Sequence, residues 1–247
     1  MMTPSLSVVV PVCNESPNIG PLVEEICGAL AGVDFEIIYV DDGSSDDSAE
    51  EVLRARQSHP QCALRLLRHS RRAGQSAALA TGVAAARAQW VATLDGDGQN
   101  DPADLPALLA ARGEPQHAGV RLIMGNRARR RDSAFRRLQS RLANKVRAAL
   151  LDDGTPDTGC GIKLFERETF LRLPYFDHMH RFLPALFQRQ GAAVVSVVVN
   201  HRPRQRGQSK YGMFNRLWVG IVDTLGVMWL QRRRVAGLRI TEEQDKS

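Results

Sequence analysis

The sequence predicts an α/β fold, a mixed and mainly parallel sheet flanked by helices. Three observations carry this expectation. Short apolar runs alternate with helical patterns through the first part of the chain, two of those runs end in clusters of acids and glycines, and 43% hydrophobic content over 247 residues is enough to bury one main core. The runs and patterns follow in order as Leu6 to Val12, Ile19 to Leu30, Phe35 to Val40, Ser48 to Arg56, Leu64 to Arg68, Gln75 to Ala88 and Trp90 to Leu94. Stacked strand–helix–strand units of this kind present ligands at the carboxyl ends of their strands, where loops open into a crevice and helix N-termini face it.

The acid clusters fall at those ends. Val40 runs into Asp41-Asp42-Gly43-Ser44-Ser45-Asp46, and Leu94 runs into Asp95-Gly96-Asp97-Gly98-Gln99. A third strand, Arg121 to Met124, ends at Gly125-Asn126-Arg127, which places a fixed cation at the same edge. From Arg127 to Arg147 the chain is densely basic, and Phe135, Leu138, Leu142, Val146 and Leu150 recur at helical spacing, as in a basic amphipathic helix. A loop from Asp152 to Gly161, a strand near Ile162 to Phe165 and a helical stretch lead to Ala193 to Val199, a valine run suited to a buried strand. The segment after His201 is basic and then apolar. We divide the chain into one main domain over 1–212, an apolar helix over 213–234 and a polar tail over 235–247.

Composition narrows the function. A formal net charge of +6 points to anionic partners. Aromatic residues are too sparse on the basic stretches for base stacking, which argues against a non-catalytic module binding nucleic acid. The four cysteines are scattered without metal-ligand spacing, so neither a zinc site nor a disulfide framework is expected, and a reducing setting fits. Met1 to Pro11 lacks the basic start and long apolar stretch of a signal peptide. Leu217 to Leu230 would extend only about 21 Å as a helix at about 1.5 Å per residue, short of the roughly 30 Å of a bilayer core.

Asp95-Gly96-Asp97 is the sharpest chemical signal. Two carboxylates one residue apart on a tight turn can gather oxygens around a hard divalent ion, although an isolated motif of this kind is commonly only a solvated turn. Such an ion would offset the charge of a diphosphate and stabilise it as a leaving group. Asp41-Asp42-Gly43-Ser44 suits a helix cap, and its carboxylates equally suit a nucleobase N–H or a ribose hydroxyl. His178 and His180 form an H-x-H pair without a third ligand nearby in sequence, and we do not assign them to a metal. Cys160 reads as a small packed residue.

Taken together, the segments Val9-Val10-Pro11-Val12-Cys13-Asn14-Glu15, Ile37 to Asp46 and Leu94 to Pro102 resemble glycosyltransferase family 2 in order and spacing. Gly125-Asn126-Arg127, Asp157-Thr158-Gly159, His180 to Pro184 and Arg204-Gln205-Arg206-Gly207-Gln208-Ser209-Lys210-Tyr211-Gly212 are similar to its branch of dolichol-phosphate mannosyltransferases and bacterial polyprenyl-phosphate glycosyltransferases. The resemblance implies a glycosyltransferase A-type, Rossmann-like fold. It also implies inverting transfer of a sugar from a nucleoside diphosphate sugar, GDP-mannose or a UDP-sugar, to polyprenyl phosphate with Mg²⁺ or Mn²⁺. Pro11, Glu15, Asp41 and Asp42 would line the nucleoside pocket. Asp95 and Gly96 would meet the nucleotide, and Asp95, Asp97 and Gln99 would surround the metal and diphosphate. Arg127 would meet a phosphate, Asp157 would sit beside the transferred sugar, and Arg204 with Lys210 would clamp phosphates. A hydroxyl acceptor on a glycan is the alternative, and it would call for a carboxylate base.

The C-terminal apolar surface of Phe214, Leu217, Trp218, Ile221, Leu225, Met228 and Trp229, flanked by Arg216 and Arg232-Arg233-Arg234, is open to packing on its own domain, while its two tryptophans and terminal arginines favour a bilayer interface or a small membrane subunit. Peripheral attachment at the cytoplasmic face of the membrane is the expected location.

Overall fold

The structure, a computed structural model, describes residues 3–127, 150–203 and 213–234. The basic stretch over 128–149, the 204–212 segment with Arg204 and Lys210, and the tail from 235 lie outside the described residues, as do the side chains of Phe214, Arg216, Leu217 and Trp218.

The elements run β1 Leu6–Val12, α1 Ser16–Ala29, β2 Phe35–Asp41, α2 Ser48–Ser58, β3 Ala63–Arg68, α3 Gln75–Ala85 and β4 Trp90–Thr93. They continue as α4 Leu105–Gly113, β5 Val120–Asn126, β6 Lys163–Glu166, α5 Arg167–Leu171, α6 Leu183–Arg189, β7 Ala193–Val198 and α7 Met213–Arg232. The strands form one sheet in the order β3-β2-β1-β4-β6-β5-β7. β1 pairs in parallel with β2 and β4, β2 with β3, and β5 with β7, while β6 runs antiparallel between β4 and β5.

Alternation along the strands divides the core in two. Leu6, Val8, Val10 and Val12 face α1, α2 and α4 through Ile19, Leu22, Val52, Leu105 and Leu108. Val9, Ile38 and Val40 face the opposite layer of Ala78, Leu79, Phe170, Leu183, Phe187 and Val227. Because β1 is covered on both sides, it reads as an unbroken apolar run, as expected of a central parallel strand.

Two expectations are corrected. The valine run Ala193 to Val199 is not a buried strand: among the described residues β7 closes the edge of the sheet and pairs with β5 alone, and Val198 is exposed. Valine suits a half-covered pleated surface as well as a fully covered one, so composition alone did not separate the two. Cys27 and Cys62, read as unpaired, form a disulfide. Parallel packing of β2 beside β1 and β3 brings the last turn of α1 to the residue before β3, a proximity invisible in the spacing of 35 residues.

α7 lies on the α6 layer. Val227 is buried, Arg189 Nε donates to the Leu230 carbonyl at 2.9 Å, and Gln231 Nε2 donates to the Leu151 carbonyl at 2.8 Å. Its other face leaves Ile221, Val222, Leu225 and Trp229 exposed, followed by exposed Arg232, Arg233 and Arg234. Among the described residues no helix is long and apolar enough to cross a membrane.

Candidate active site

The carboxyl ends of β1, β2 and β4 converge with the end of β5 and the turn before β6. β1 and β2 are joined beyond their ladder: the Asp42 amide donates to the Val12 carbonyl at 2.8 Å, and the Asn14 amide to Ser44 Oγ at 2.9 Å. Glu15 is fixed by its amide to Ser48 Oγ at 3.0 Å and accepts from Asn18 Nδ2 at 2.8 Å. Asp41 is fully buried, accepts from the Ser44 amide at 2.9 Å and lies 3.3 Å from Arg68 Nε. Asp42 turns toward the loop before α3, where it accepts from the Ala73 and Gly74 amides and meets His69 Nδ1, each at 2.8 Å. In this structure Asp42 therefore organises the wall of the crevice through the 71–74 loop.

The turn after β4 carries the central pair. Asp97 Oδ1 accepts from the Gln99 amide at 3.1 Å, closing a small side-chain turn. Asp95 Oδ1 accepts from Gln75 Nε2 at 2.8 Å, and its own amide donates to Asn100 Oδ1 at 2.9 Å. Two glycines permit this arrangement by lacking a side chain. A Cβ on Gly96 would lie 2.5 Å from Val12 Cγ1 and 3.0 Å from the Pro11 carbonyl oxygen, so the turn is pressed against the β1 end. A Cβ on Gly161 would lie 2.1 Å from Asp95 Oδ2 and 2.5 Å from Asn100 Oδ1.

Opposite the acids stand two cations. Arg127 grips Asp157 bidentately, Nε to Oδ2 at 2.7 Å and Nη2 to Oδ1 at 2.9 Å, in a nearly buried pair. Lys163 on β6 is buried and donates through Nζ to the Cys160 carbonyl. Burial lowers the Lys163 ammonium pKa, while the nearby Asp95 and Asp157 charges oppose the shift. Burial, and then the Asp97 charge, push the Asp95 carboxyl above its ordinary 3.8, while Lys163 and Arg127 act the other way. Cys160 is fully buried and its thiol is pushed up by burial, as suits a packed residue.

Asp95 and Asp97 fit a divalent cation. Their mutual repulsion is what a cation between them would remove, and a hard ion held by two carboxylates normally takes its other oxygens from substrate phosphates and water. Among the described residues there is no cluster of three or more His, Cys, Asp or Glu to form an all-protein cage. The H-x-H pair belongs to packing: His180 Nδ1 lies 2.8 Å from Ser76 Oγ, and burial lowers its pKa to about 3, while His178 Nδ1 lies 3.3 Å from Asp223 on α7.

Thus Asp95, Gly96, Asp97, Arg127 and Asp157 gather at one edge of the sheet, with Pro11, Glu15, Asp41 and Asp42 at its β1–β2 end. Gln99 joins the acid turn through its backbone. Gln75, Asn100, Gly161 and Lys163 were not singled out from sequence. Lys163 had a signal, a lone charge inside the apolar strand Ile162 to Phe165; the others had none, because their partners are remote in sequence or unremarkable in type.

A pair of carboxylates on a glycine turn thus faces two cations, Arg127 and Lys163, at the strand ends of a mainly parallel sheet. Residues 7–173 match the family model Glycosyl transferase family 2, and the chain belongs to that family. It is 35% identical over 234 residues to the dodecaprenyl-phosphate galacturonate synthase of Rhizobium johnstonii, covering 92% of this chain and 67% of that protein. It is 32% identical over 210 residues to the undecaprenyl-phosphate 4-deoxy-4-formamido-L-arabinose transferase of Edwardsiella ictaluri, covering 84% of this chain and 63% of that one. The chain thus spans about two thirds of the length of these relatives. Among solved structures, glucosyl-3-phosphoglycerate synthase from Mycobacterium tuberculosis, in complex with Mn²⁺, UDP and phosphoglyceric acid, shares the fold. Its TM-score is 0.69 at 19% identity, covering 92% of this chain and 78% of that one.

Proposed function

We propose that the protein transfers a sugar, with inversion, from a nucleoside diphosphate sugar to polyprenyl phosphate. The observation that carries the choice of acceptor is the Arg127–Asp157 pair. A hydroxyl acceptor needs a carboxylate base within hydrogen-bond reach. Asp157, the carboxylate assigned beside the transferred sugar, has both oxygens engaged by one guanidinium. A phosphate acceptor is already ionised near neutral pH and needs no base, so positioning and charge balance carry the reaction. The two relatives, a dodecaprenyl-phosphate galacturonate synthase and an undecaprenyl-phosphate sugar transferase, support the same acceptor.

In the proposed reaction an acceptor phosphate oxygen attacks the anomeric carbon. The bond from that carbon to the donor's diphosphate oxygen breaks, and the nucleoside diphosphate leaves with the electron pair. Asp95 and Asp97, with Gln99 in the same turn, would hold Mg²⁺ or Mn²⁺, which when bound supplies Lewis-acid neutralisation of the diphosphate. The M. tuberculosis neighbour, which holds Mn²⁺ and UDP, supports a divalent ion and a nucleotide in such a fold. Arg127 keeps Asp157 oriented toward the sugar and adds positive charge near the phosphates, while Pro11 and Glu15 line the nucleoside end and the buried Asp41 braces it through the Ser44 amide and Arg68. Arg204 and Lys210 are proposed phosphate clamps.

We place the protein peripherally on the cytoplasmic face of a membrane. The exposed apolar side of α7 rests at the interface or on a small membrane subunit, and Arg232 to Arg234 meet anionic headgroups. The test is a donor screen with GDP-mannose and a set of UDP-sugars against a short polyprenyl phosphate and a glycan acceptor, read by product mass with and without Mn²⁺. A metal-dependent lipid-linked product is expected; transfer to the glycan alone, or no transfer from any donor, overturns the reading.

A further inference from the structure

The residues after β7 do more than leave the sheet. The Val199 amide donates to the Asn126 carbonyl at 3.0 Å, next to Arg127. The Asn200 amide donates to Asp104 Oδ2 at 2.8 Å, His201 forms a β-bridge with Asn100, and the Arg202 amide donates to the Gln99 carbonyl at 3.1 Å. The Arg202 guanidinium then spans two elements, with Nη2 on Asp101 Oδ1 at 2.7 Å and Nη1 on Glu25 Oε2 of α1 at 2.6 Å. The strap thus grips Gln99, Asn100 and Asp101 in succession. Asn100 is the residue whose side chain holds the Asp95 amide.

We propose that Arg202 is a positioning residue for the acid turn. By tying Asp101 and the Gln99 carbonyl to α1, it keeps Asn100 beneath Asp95, and with Asn100 the spacing of Asp95 and Asp97 toward a divalent cation. This rests on the metal-dependent transferase reading above. The alternative is a surface brace, since the Arg202 side chain is 32% exposed and exposed ion pairs contribute little to stability. What favours positioning is the target: both arms and the backbone contact end on the metal turn or on the helix that backs it. A two-armed fork is also something lysine cannot reproduce.

The test compares wild type, Arg202→Ala, Arg202→Lys and Asp101→Asn. Mn²⁺ binding is followed by the EPR signal of free ion in the presence of GDP and, separately, of UDP, together with thermal melting and the metal dependence of transfer. Loss of such an outer partner typically weakens metal affinity about 10–100-fold, so Arg202→Ala should bind Mn²⁺ at least about 10-fold more weakly than wild type. Lysine should restore only part of that, and Asp101→Asn should reproduce the loss while leaving the Glu25 arm in place. If Arg202→Ala melts earlier yet binds Mn²⁺ within about twofold of wild type, Arg202 is a brace and the proposal falls. Should Arg202→Ala not fold, normal Mn²⁺ affinity in Asp101→Asn overturns it equally. Wild type that neither binds Mn²⁺ with either nucleotide nor transfers sugar would remove the transferase reading, and this inference with it.

Discussion

Gly161→Ala places a single methyl group against the central carboxylate. The added carbon would lie 2.1 Å from Asp95 Oδ2, 2.4 Å from its Cγ and 2.5 Å from Asn100 Oδ1. An ordinary carbon–oxygen contact requires the Asp95 carboxylate to retreat by about 1 Å. It has little room: Gln75 holds one oxygen, Asn100 holds its amide, and Thr93 Oγ1 holds the Gly161 carbonyl at 2.8 Å from the other side. Overpacking of this kind costs about 1–3 kcal/mol, whereas a misplacement of about 1 Å in a catalytic group can cost about 100-fold in rate. The expected signature is therefore a loss of kcat/KM on the order of 100-fold with only a modest fall in Tm. Gly28→Ala is the control: nothing lies within 4 Å of a Cβ there, inside α1 and away from Pro21, so it should be active and more stable by up to about 1 kcal/mol. Full activity in Gly161→Ala, measured by transfer at saturating metal, would refute the placement of Asp95 in the reacting geometry.

Arg127→Ala should destabilise the fold by about 3 kcal/mol by removing two charge-assisted hydrogen bonds to Asp157 in a nearly buried position. The double variant with Asp157→Asn should recover much of that in urea melts, and additive losses would contradict the pairing. Because the Asp95 carboxyl titrates above its ordinary 3.8, the folded state binds more protons than the unfolded one between the two values. The metal-free protein should then lose this contribution as pH rises through the raised value. Mn²⁺ should accordingly raise Tm by more as pH climbs through that raised value, and a metal-induced rise that stays constant across the whole acid limb would count against metal on this pair. His180, lowered from 6.5 to about 3 by burial, binds fewer protons folded than unfolded across that interval. Acidification below 6.5 should weaken the fold by on the order of 1 kcal/mol per pH unit. Urea melts of His180→Asn should show a flatter acid limb, and an unchanged slope would reject this role.

The strand–helix alternation, the parallel first half of the sheet and the acid clusters after β2 and β4 were legible in the sequence because they obey local rules. Alternation sets which face of a strand is covered, and a strand's carboxyl end is where the next residues must turn. Gly125-Asn126-Arg127 was legible for the same reason. Tertiary structure decided the rest. Insertion of antiparallel β6 between β4 and β5 carries Gly161 onto Asp95, buries Lys163 beneath the carboxylates and brings Asp157 within reach of Arg127. It also leaves β7 at the edge, with the strap that follows free to cross onto the acid turn. The partners in each of these contacts lie far apart along the chain, and which of them meet depends on how all the apolar faces share one core, a competition that residue spacing does not record.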